Sequence, residues 1–411
     1  MVVDRDMQIN IVRYWKPEEI KINNNITEVE AKEKFLELFK KAIIDRIDNF
    51  YNTAFELSGG LDSSSVLSIA RQIYPQENIR TVSKTYKSMS QCDESEYIDS
   101  VSNKYDIDSI KIGVDNLDYT DEYSLDNNYA LNPYWPILVT YTASFHVAKK
   151  LQGLGIKNVL TGQGGDQLMG GSPYSLHDYF KRFQWLQLGK ELNYVRRPLY
   201  VMERYVLLPF LNDKNRKFLK KILQFKKIKD RESKSISPKI FQEICDYMPK
   251  DSLAFWEDIK SLTSSKQTLI FDCSASHVIN THFGIKAFHP FYDRRLMEFV
   301  LSLPSKYKFS KGISKVLLRK SMKGILPEKI RQRSDKAEYT PLIKQQIDAI
   351  DLDELLSNTF LAKLGIIEQI EIDNLKDTYK SGKMKTIVHF WKIINMEYWY
   401  RYNFVNQKET A

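Results

Sequence analysis

Ser58-Gly59-Gly60-Leu61-Asp62-Ser63-Ser64 is the stretch of this chain best suited to chemistry. It stands between an apolar strand-like run, Thr53–Leu57, and a helix-like run, Val66–Ile73. Two adjacent glycines let the backbone turn sharply and come close to an anion. Successive N–H groups in such a turn form a concave nest, and the start of the following helix adds positive potential. Ser63 and Ser64 can cap that helix or offer hydroxyls to phosphate oxygens. Asp62 is the odd member. A carboxylate in a phosphate cradle is repelled unless a divalent cation lies between, so it implies Mg²⁺. A bare Ser-Gly-Gly reads as a plain strand-to-helix turn; the full string in this position predicts a pyrophosphate site. It is not a Walker A loop, since no G-x-x-x-x-G-K-[ST] occurs, and no G-x-G-x-x-G follows a strand here.

A second glycine-rich loop, Thr161–Gly171 (TGQGGDQLMGG), follows the short apolar run Asn158–Leu160. Asp166 there is a candidate second Mg²⁺ carboxylate, because Mg²⁺ takes one or two protein carboxylates and completes its octahedron with phosphate and water. Leu57, Ser83 and Gly162, at strand ends, are candidates for an adenine and ribose wall.

The elements that must position these loops alternate. Residues 1–28 read as an irregular extension, and helical periodicity runs from Val29 to about Ile47. Strand-like runs at Thr53–Leu57, Ile79–Tyr86, Ser109–Val114 and Asn158–Leu160 are separated by helical ones. The helical stretches include one opened by Asp93 and Glu96, near a capping-box pattern, and one from Pro136 to about Leu151. Alternation of this kind predicts an α/β fold with a doubly wound parallel sheet, whose ligands bind beyond the carboxyl ends of the strands. The expected organisation is an α/β core over 29–180 and a mostly helical, substrate-binding half over 181–411, with 284–340 returning to the active site.

The 411 residues are 43% hydrophobic and 27% charged, ordinary for a globular chain. No run approaches about 18 apolar residues, and the N-terminus has no apolar signal core, so no membrane is expected. Cys92, Cys245 and Cys273 are far apart without C-x-x-C spacing, which disfavours disulfides and zinc and fits the cytoplasm. The net charge of +9 is concentrated in Lys214–Lys229, which reads as an amphipathic helix with a solvated lysine face. No RNA-binding signature accompanies it, and no nucleic acid is expected. Arg196 and Arg197 read as solvated, and His289, beside Pro290, as packing.

SGGLDSS resembles the pyrophosphate loop of the N-type ATP pyrophosphatases, and within them the asparagine synthetase family. Thr161–Asp166 resembles that family's S/T-G-x-G-x-D motif. GIKAFHPFYD at 284–293, KVLLR at 315–319 and GILPEKIRQRSDK at 324–336 follow in family order. The resemblance implies ATP and Mg²⁺, with Leu57, Ser58, Gly59, Gly60, Leu61, Asp62, Ser63, Ser64, Ser83, Gly162 and Gln163 around ATP and its pyrophosphate. It implies Asp62 and Asp166 on the metal, and Lys336 on the pyrophosphate and adenylate phosphate. These enzymes make amides through an acyl-adenylate.

Three departures stand out. The glutaminase domain of the glutamine-dependent enzymes is not found before the loop, and the place of its cysteine nucleophile holds Val2. The Glu and Arg of the family's G-x-E-x-R-x-P-F are Lys286 and Phe288, and a pocket without those groups treats aspartate differently. Gln163 stands where an acid is often found, and it cannot act as a base. SGGLDSSS, TGQGGDQL, HPFYDRRLMEFVLSLP and RQRSDKAEY are most similar to the lasso-peptide cyclases. That resemblance implies closure of an isopeptide ring between a peptide α-amine and an Asp or Glu side chain. It also implies a peptide substrate, with a leader-binding protein and a leader protease as further partners. Tyr174, Phe180, Phe183 and Trp185 are candidates for a peptide pocket. An ammonia-using asparagine synthetase domain, a degenerate peptide-binding scaffold and a tRNA-modifying pyrophosphatase remain alternatives. Oligomeric state is not legible.

Overall fold

The computed structural model describes residues 2–3, 8–10, 13–107, 109–115, 117, 141–195, 197–207, 209, 252–263, 276–383 and 387–405. The basic segment 214–229, Arg196, Cys245, Cys273 and the start of the helix expected from Pro136 lie outside them. The chain forms two compact units. A helical unit comprises Met1–Phe39, Gly164–Ser265 and Phe291–Ser321; a sheet unit comprises Lys40–Gln163, Lys266–Pro290 and Met322–Ala411. No helix among the described residues is long and apolar enough to cross a membrane.

Helix α1, Glu28–Ile44, matches the periodicity expected from Val29. Thr27 opens it: the Thr27 N–H and hydroxyl donate to Glu30, and the Glu30 N–H donates back to Thr27 Oγ1. This reciprocal pattern satisfies donors that the helix itself leaves unpaired.

The sheet unit is built on five parallel strands: β1 Thr53–Glu56, β2 Arg80–Thr85, β3 Ser109–Gly113, β4 Asn158–Leu160 and β5 Lys286–Phe288. Their spatial order is β3-β2-β1-β4-β5. Phe55 of β1 lies opposite Thr81 on one side and Leu160 on the other. The order therefore reverses between β1 and β4, the switch point at which open α/β sheets bind ligands. This is the α/β parallel-sheet class that the alternation predicts. Strand β5 is an addition: it opens with exposed Lys286, and it pairs with β4 at the sheet edge.

Helices α2 Leu61–Ile73, α3 Ser95–Tyr105 and α4 Tyr141–Gly153 connect and cover the strands. Ala54, Val82, Ile112 and Val159 from four strands pack with Phe145, Val147 and Leu151 of α4 and with Ile279, Phe283 and Ile285. A second cluster gathers Ile343, Leu355, Leu356, Phe390 and Ile394 toward the C-terminus. Glu397 is wholly buried there, accepting bonds from the Phe360 and Leu361 N–H groups and from Arg401 Nε.

The helical unit includes α5 Gly165–Met169, α6 Ser175–Lys181, α7 Trp185–Leu192, α8 Leu253–Thr263 and α9 Arg294–Leu301. A short antiparallel hairpin, Phe309–Ser310 with Ile313–Ser314, follows α9. Lys308 and Asp258 form a buried ion pair at 2.5 Å.

Candidate active site

The loop after β1 is shaped by its own backbone. The Leu57 N–H donates to the Val82 carbonyl at 2.8 Å, extending the β1–β2 ladder by one rung. Gly59 sits at φ +73, in the left-handed region, and a Cβ there would lie 2.8 Å from Tyr97 Cβ. Helix α2 starts earlier than the apolar run suggests, at Leu61, with extended Gly60 as its N-cap. Ser63 and Ser64 are therefore not caps; they lie within the first turn. The Ser63 hydroxyl accepts from the Ser58 N–H at 3.2 Å and meets Ser58 Oγ at 2.9 Å. Ser64 is wholly buried, and its hydroxyl has no hydrogen-bond partner among the described residues. Asp62 is half-buried in that first turn, beside the positive end of the helix. Ser83, placed by position at the ligand wall, is buried and donates to the Leu57 carbonyl at 2.7 Å. It holds the end of β1.

The loop after β4 comes directly against this turn. A Cβ on Gly162 would lie 2.4 Å from Ser63 N and 2.8 Å from Ser63 Cα. Only a residue without a side chain fits between them. The start of the second glycine loop, Thr161–Gln163, thus meets the first at the switch point, within the sheet unit. The Gln163 N–H donates to Thr161 Oγ1, whose hydroxyl also bonds His289 Nδ1 at 2.7 Å.

Two adjoining cavities of about 110 and 90 Å³ open at these strand ends. Glu56, Val82, Lys84 and Val147 line both. Gln163 and His289 line the first; Leu57, Ser58, Glu94 and Tyr339 line the second. Lys84 Nζ donates to Ser144 Oγ at 3.0 Å.

Two charged residues that sequence reasoning passed over clamp the β1 loop. Arg333 donates to Glu94 Oε1 at 2.5 Å and to the Gly59 carbonyl at 3.3 Å. Its guanidinium lies 3.8 Å from the centre of the Tyr97 ring. Burial pushes the Glu94 carboxyl up, against the downward pull of Arg333 and Lys336. Lys336 is exposed, and its charge pulls weakly on the Glu94 carboxyl. Tyr339 is pushed up to about 12, by burial and then by the charge of Glu94. The available signal was RQRSDK itself, where Arg333 precedes Lys336 by three residues and reads as a surface charge without its distant partner.

Asp166 belongs to the helical unit. It is exposed at the start of α5, and Lys315 Nζ lies 2.7 Å from its Oδ1. Lys315 is buried and sits at φ +58, an uncommon conformation for a side-chain-bearing residue. The preceding hairpin is held by buried Glu191, which accepts from Ser310 Oγ at 2.8 Å and from the Lys311 N–H.

His289 is neutral at pH 7: burial, aided by the charge of Arg46, lowers it to about 4. The unfolded chain takes up this proton near 6.5, the folded chain only near 4. Stability is therefore lost as pH falls through that window, by up to about 3 kcal/mol from this group. We expect urea midpoints to drop between pH 7 and 4, and His289→Gln to flatten that slope. A wild-type slope unchanged by the substitution would contradict this placement.

Among the described residues no three His, Cys, Asp or Glu side chains gather as for an all-protein metal cage. A single carboxylate at a helix start beside a glycine-bearing backbone turn suits Mg²⁺, which draws most of its ligands from phosphate and water. Comparison with known proteins identifies the family. A similar curated protein is a probable asparagine synthetase (glutamine-hydrolyzing) of Dictyostelium discoideum, 25% identical over 188 residues, covering 40% of this chain and 32% of the relative. The chain thus spans about a third of the length of the curated relative it matches. The sequence model of the asparagine synthase family matches residues 34–401, from α1 through the sheet to the last helix, and the chain belongs to that family.

Proposed function

We propose that this protein forms amide bonds at the expense of ATP, through an acyl-adenylate, and that its substrate is a peptide. The reading follows the lasso-peptide cyclases: an Asp or Glu side chain is activated and the peptide's own α-amine closes the ring. The observation that carries the reading is the seating of Gly162 against the Ser63 backbone, which joins both glycine loops at the switch point of the sheet. A carboxylate oxygen attacks the α-phosphorus of ATP and pyrophosphate leaves. The amine then attacks the carbonyl carbon, AMP leaves with the electron pair of the C–O bond, and the amine loses a proton. The Ser58–Ser64 turn is the proposed pyrophosphate cradle, and Lys336 the cation that offsets charge on the departing groups. Asp62 would hold Mg²⁺, which when bound neutralises phosphate charge. Leu57 and Gly162 would border the nucleoside, with Ser83 holding Leu57 in place. Asp166, ion-paired with Lys315, is the second acidic candidate. Loss of the Glu and Arg at Lys286 and Phe288 supports a substrate other than free aspartate. A leader-binding protein and a leader protease are proposed partners.

The test is pyrophosphate release with ATP, Mg²⁺ and peptides bearing a free α-amine and an internal acid. The expected product is a peptide lighter by one water, formed with equimolar AMP. Asp62→Asn and Asp166→Asn, assayed separately, should each lower the rate at least about tenfold and raise the Mg²⁺ needed. Robust asparagine formation from aspartate and ammonia would sink the peptide reading.

A further inference from the structure

The helical unit holds a groove of about 920 Å³, far larger than either cavity at the strand ends. Phe183, Trp185 and Leu186 line it and stand 76%, 50% and 85% exposed. Arg182, Lys190 and Lys306 line it as well and are exposed. Asp178 is the acid among its described lining residues, and that carboxylate is committed elsewhere. It is buried and accepts from Ser252 Oγ, Leu253 N–H and Ala254 N–H at 2.6, 2.9 and 3.3 Å, starting α8. Among the described lining residues the groove therefore pairs apolar surface with an excess of positive charge.

Phe183 is the telling residue. It sits at φ +57 just beyond α6, where the Gln184 N–H returns to the Tyr179 carbonyl at 2.9 Å. This helix-ending position ordinarily takes glycine, because a Cβ is strained there. Stability alone would choose glycine, yet the residue is an aromatic that stands 76% exposed. Its ring meets Trp185 edge-on at 5.9 Å, and Trp185 in turn meets Phe180 at 4.9 Å. Backbone strain at an exposed aromatic is the kind of outlier that points to a contact role.

We infer that this groove docks a segment of the peptide substrate in which acidic side chains flank an aromatic or aliphatic one. Charge complementarity selects the acids, and Trp185, Phe183 and Leu186 receive the apolar residue. The aliphatic faces of Ile22, Leu186 and Pro304 favour a peptide over the stacked bases of single-stranded RNA. Naming the substrate as the source rests on the ligase reading above; the docking chemistry does not.

Fluorescence anisotropy with the full chain, without ATP, reads docking independently of catalysis. The probes are a short labelled peptide with acids around a Phe-Leu pair, the same peptide with its acids amidated, and an oligouridylate. We expect the acidic peptide to bind at least about tenfold tighter than its amidated form, and to weaken as salt rises. The double variant Arg182→Glu, Lys190→Glu should lose at least about tenfold in affinity and raise the peptide KM by a like factor, leaving the KM for ATP unchanged. Phe183→Gly should weaken binding while the thermal midpoint holds or rises, a split that a purely structural role would not give. Equal binding by the variants, preference for oligouridylate, or no binding would overturn the docking site. Tight binding with an unchanged peptide KM would remove the substrate as its occupant. Docking without pyrophosphate release from any peptide would remove the ligase reading and the named source together, leaving the groove chemistry standing.

Discussion

Gly162→Ala is expected to abolish measurable ATP-dependent pyrophosphate release, a loss of about 100-fold or more, in a protein that still folds. Gly162 is not in the left-handed region, so alanine meets no backbone strain at this position. What it meets is the Ser63 backbone, at 2.4 and 2.8 Å from the new methyl carbon. Backbone cannot rotate away as a side-chain tip can. The start of α2 or the end of β4 must shift by about 1 Å, and such a displacement of a positioned site costs on the order of 10²-fold in rate. Overpacking of this kind destabilises by about 1–3 kcal/mol, tolerable for a domain of this size. Gly155→Ala is the matched control. It incurs a left-handed penalty at φ +71, but its methyl meets nothing within 4 Å. It should lose about 1–2 kcal/mol of stability and none of the activity. If Gly162→Ala keeps wild-type turnover, the two loops do not form one site.

What the sequence made legible, and what it did not, divides by distance along the chain. Strands β1 to β4 and helices α1 to α3 are each specified by a local run of apolar residues, and each was readable to within a few positions. The glycine loops were readable because their physics is local too: turn, anion, helix start. The junction of α2 was misjudged by one turn, because serine hydroxyls look like caps. Here Gly60 opens the helix, and Ser58 and Ser63 bond each other. Strand β5, with exposed Lys286 and no wholly buried residue, lacks the apolar run that marks the equally short β4. Arg333 with Glu94, and Lys315 with Asp166, were beyond reach for another reason. Each is a charge whose partner lies far away in the chain, and an isolated charge reads as surface.

The expected behaviour of Arg333→Met follows from that hidden pairing. The Arg333 side chain is 6% exposed and that of Glu94 15%, so the pair is largely withdrawn from water. Methionine keeps the volume but leaves Glu94 buried without its ion-pair partner and with only the weaker pull of Lys336, removes the bond to the Gly59 carbonyl and lifts the Arg333 cation from Tyr97. Breaking one side of a buried pair costs about 3–5 kcal/mol. The pH dependence gives the cause. Burial already raises Glu94 above its ordinary 4.5, and Arg333 opposes that rise. A carboxyl raised in the folded state holds its proton more tightly there than in the unfolded chain. Its contribution is most favourable below the unfolded value of 4.5 and is lost as pH climbs through the folded one. Without Arg333 the folded value climbs further, so the deficit of the variant should be larger at pH 7.5 than at pH 5. Adding Glu94→Gln removes the buried charge, and the double variant should recover stability at pH 7.5 and lose the extra slope. Recovery of the fold without recovery of pyrophosphate release would then assign the Arg333 bond to Gly59 a part in shaping the cradle, since Glu94→Gln restores the charge balance but not that bond. Denaturant midpoints at the two pH values, beside the release assay, measure both. A deficit equal at both pH values, with no rescue by Glu94→Gln, would place the destabilisation in lost packing over Tyr97 instead.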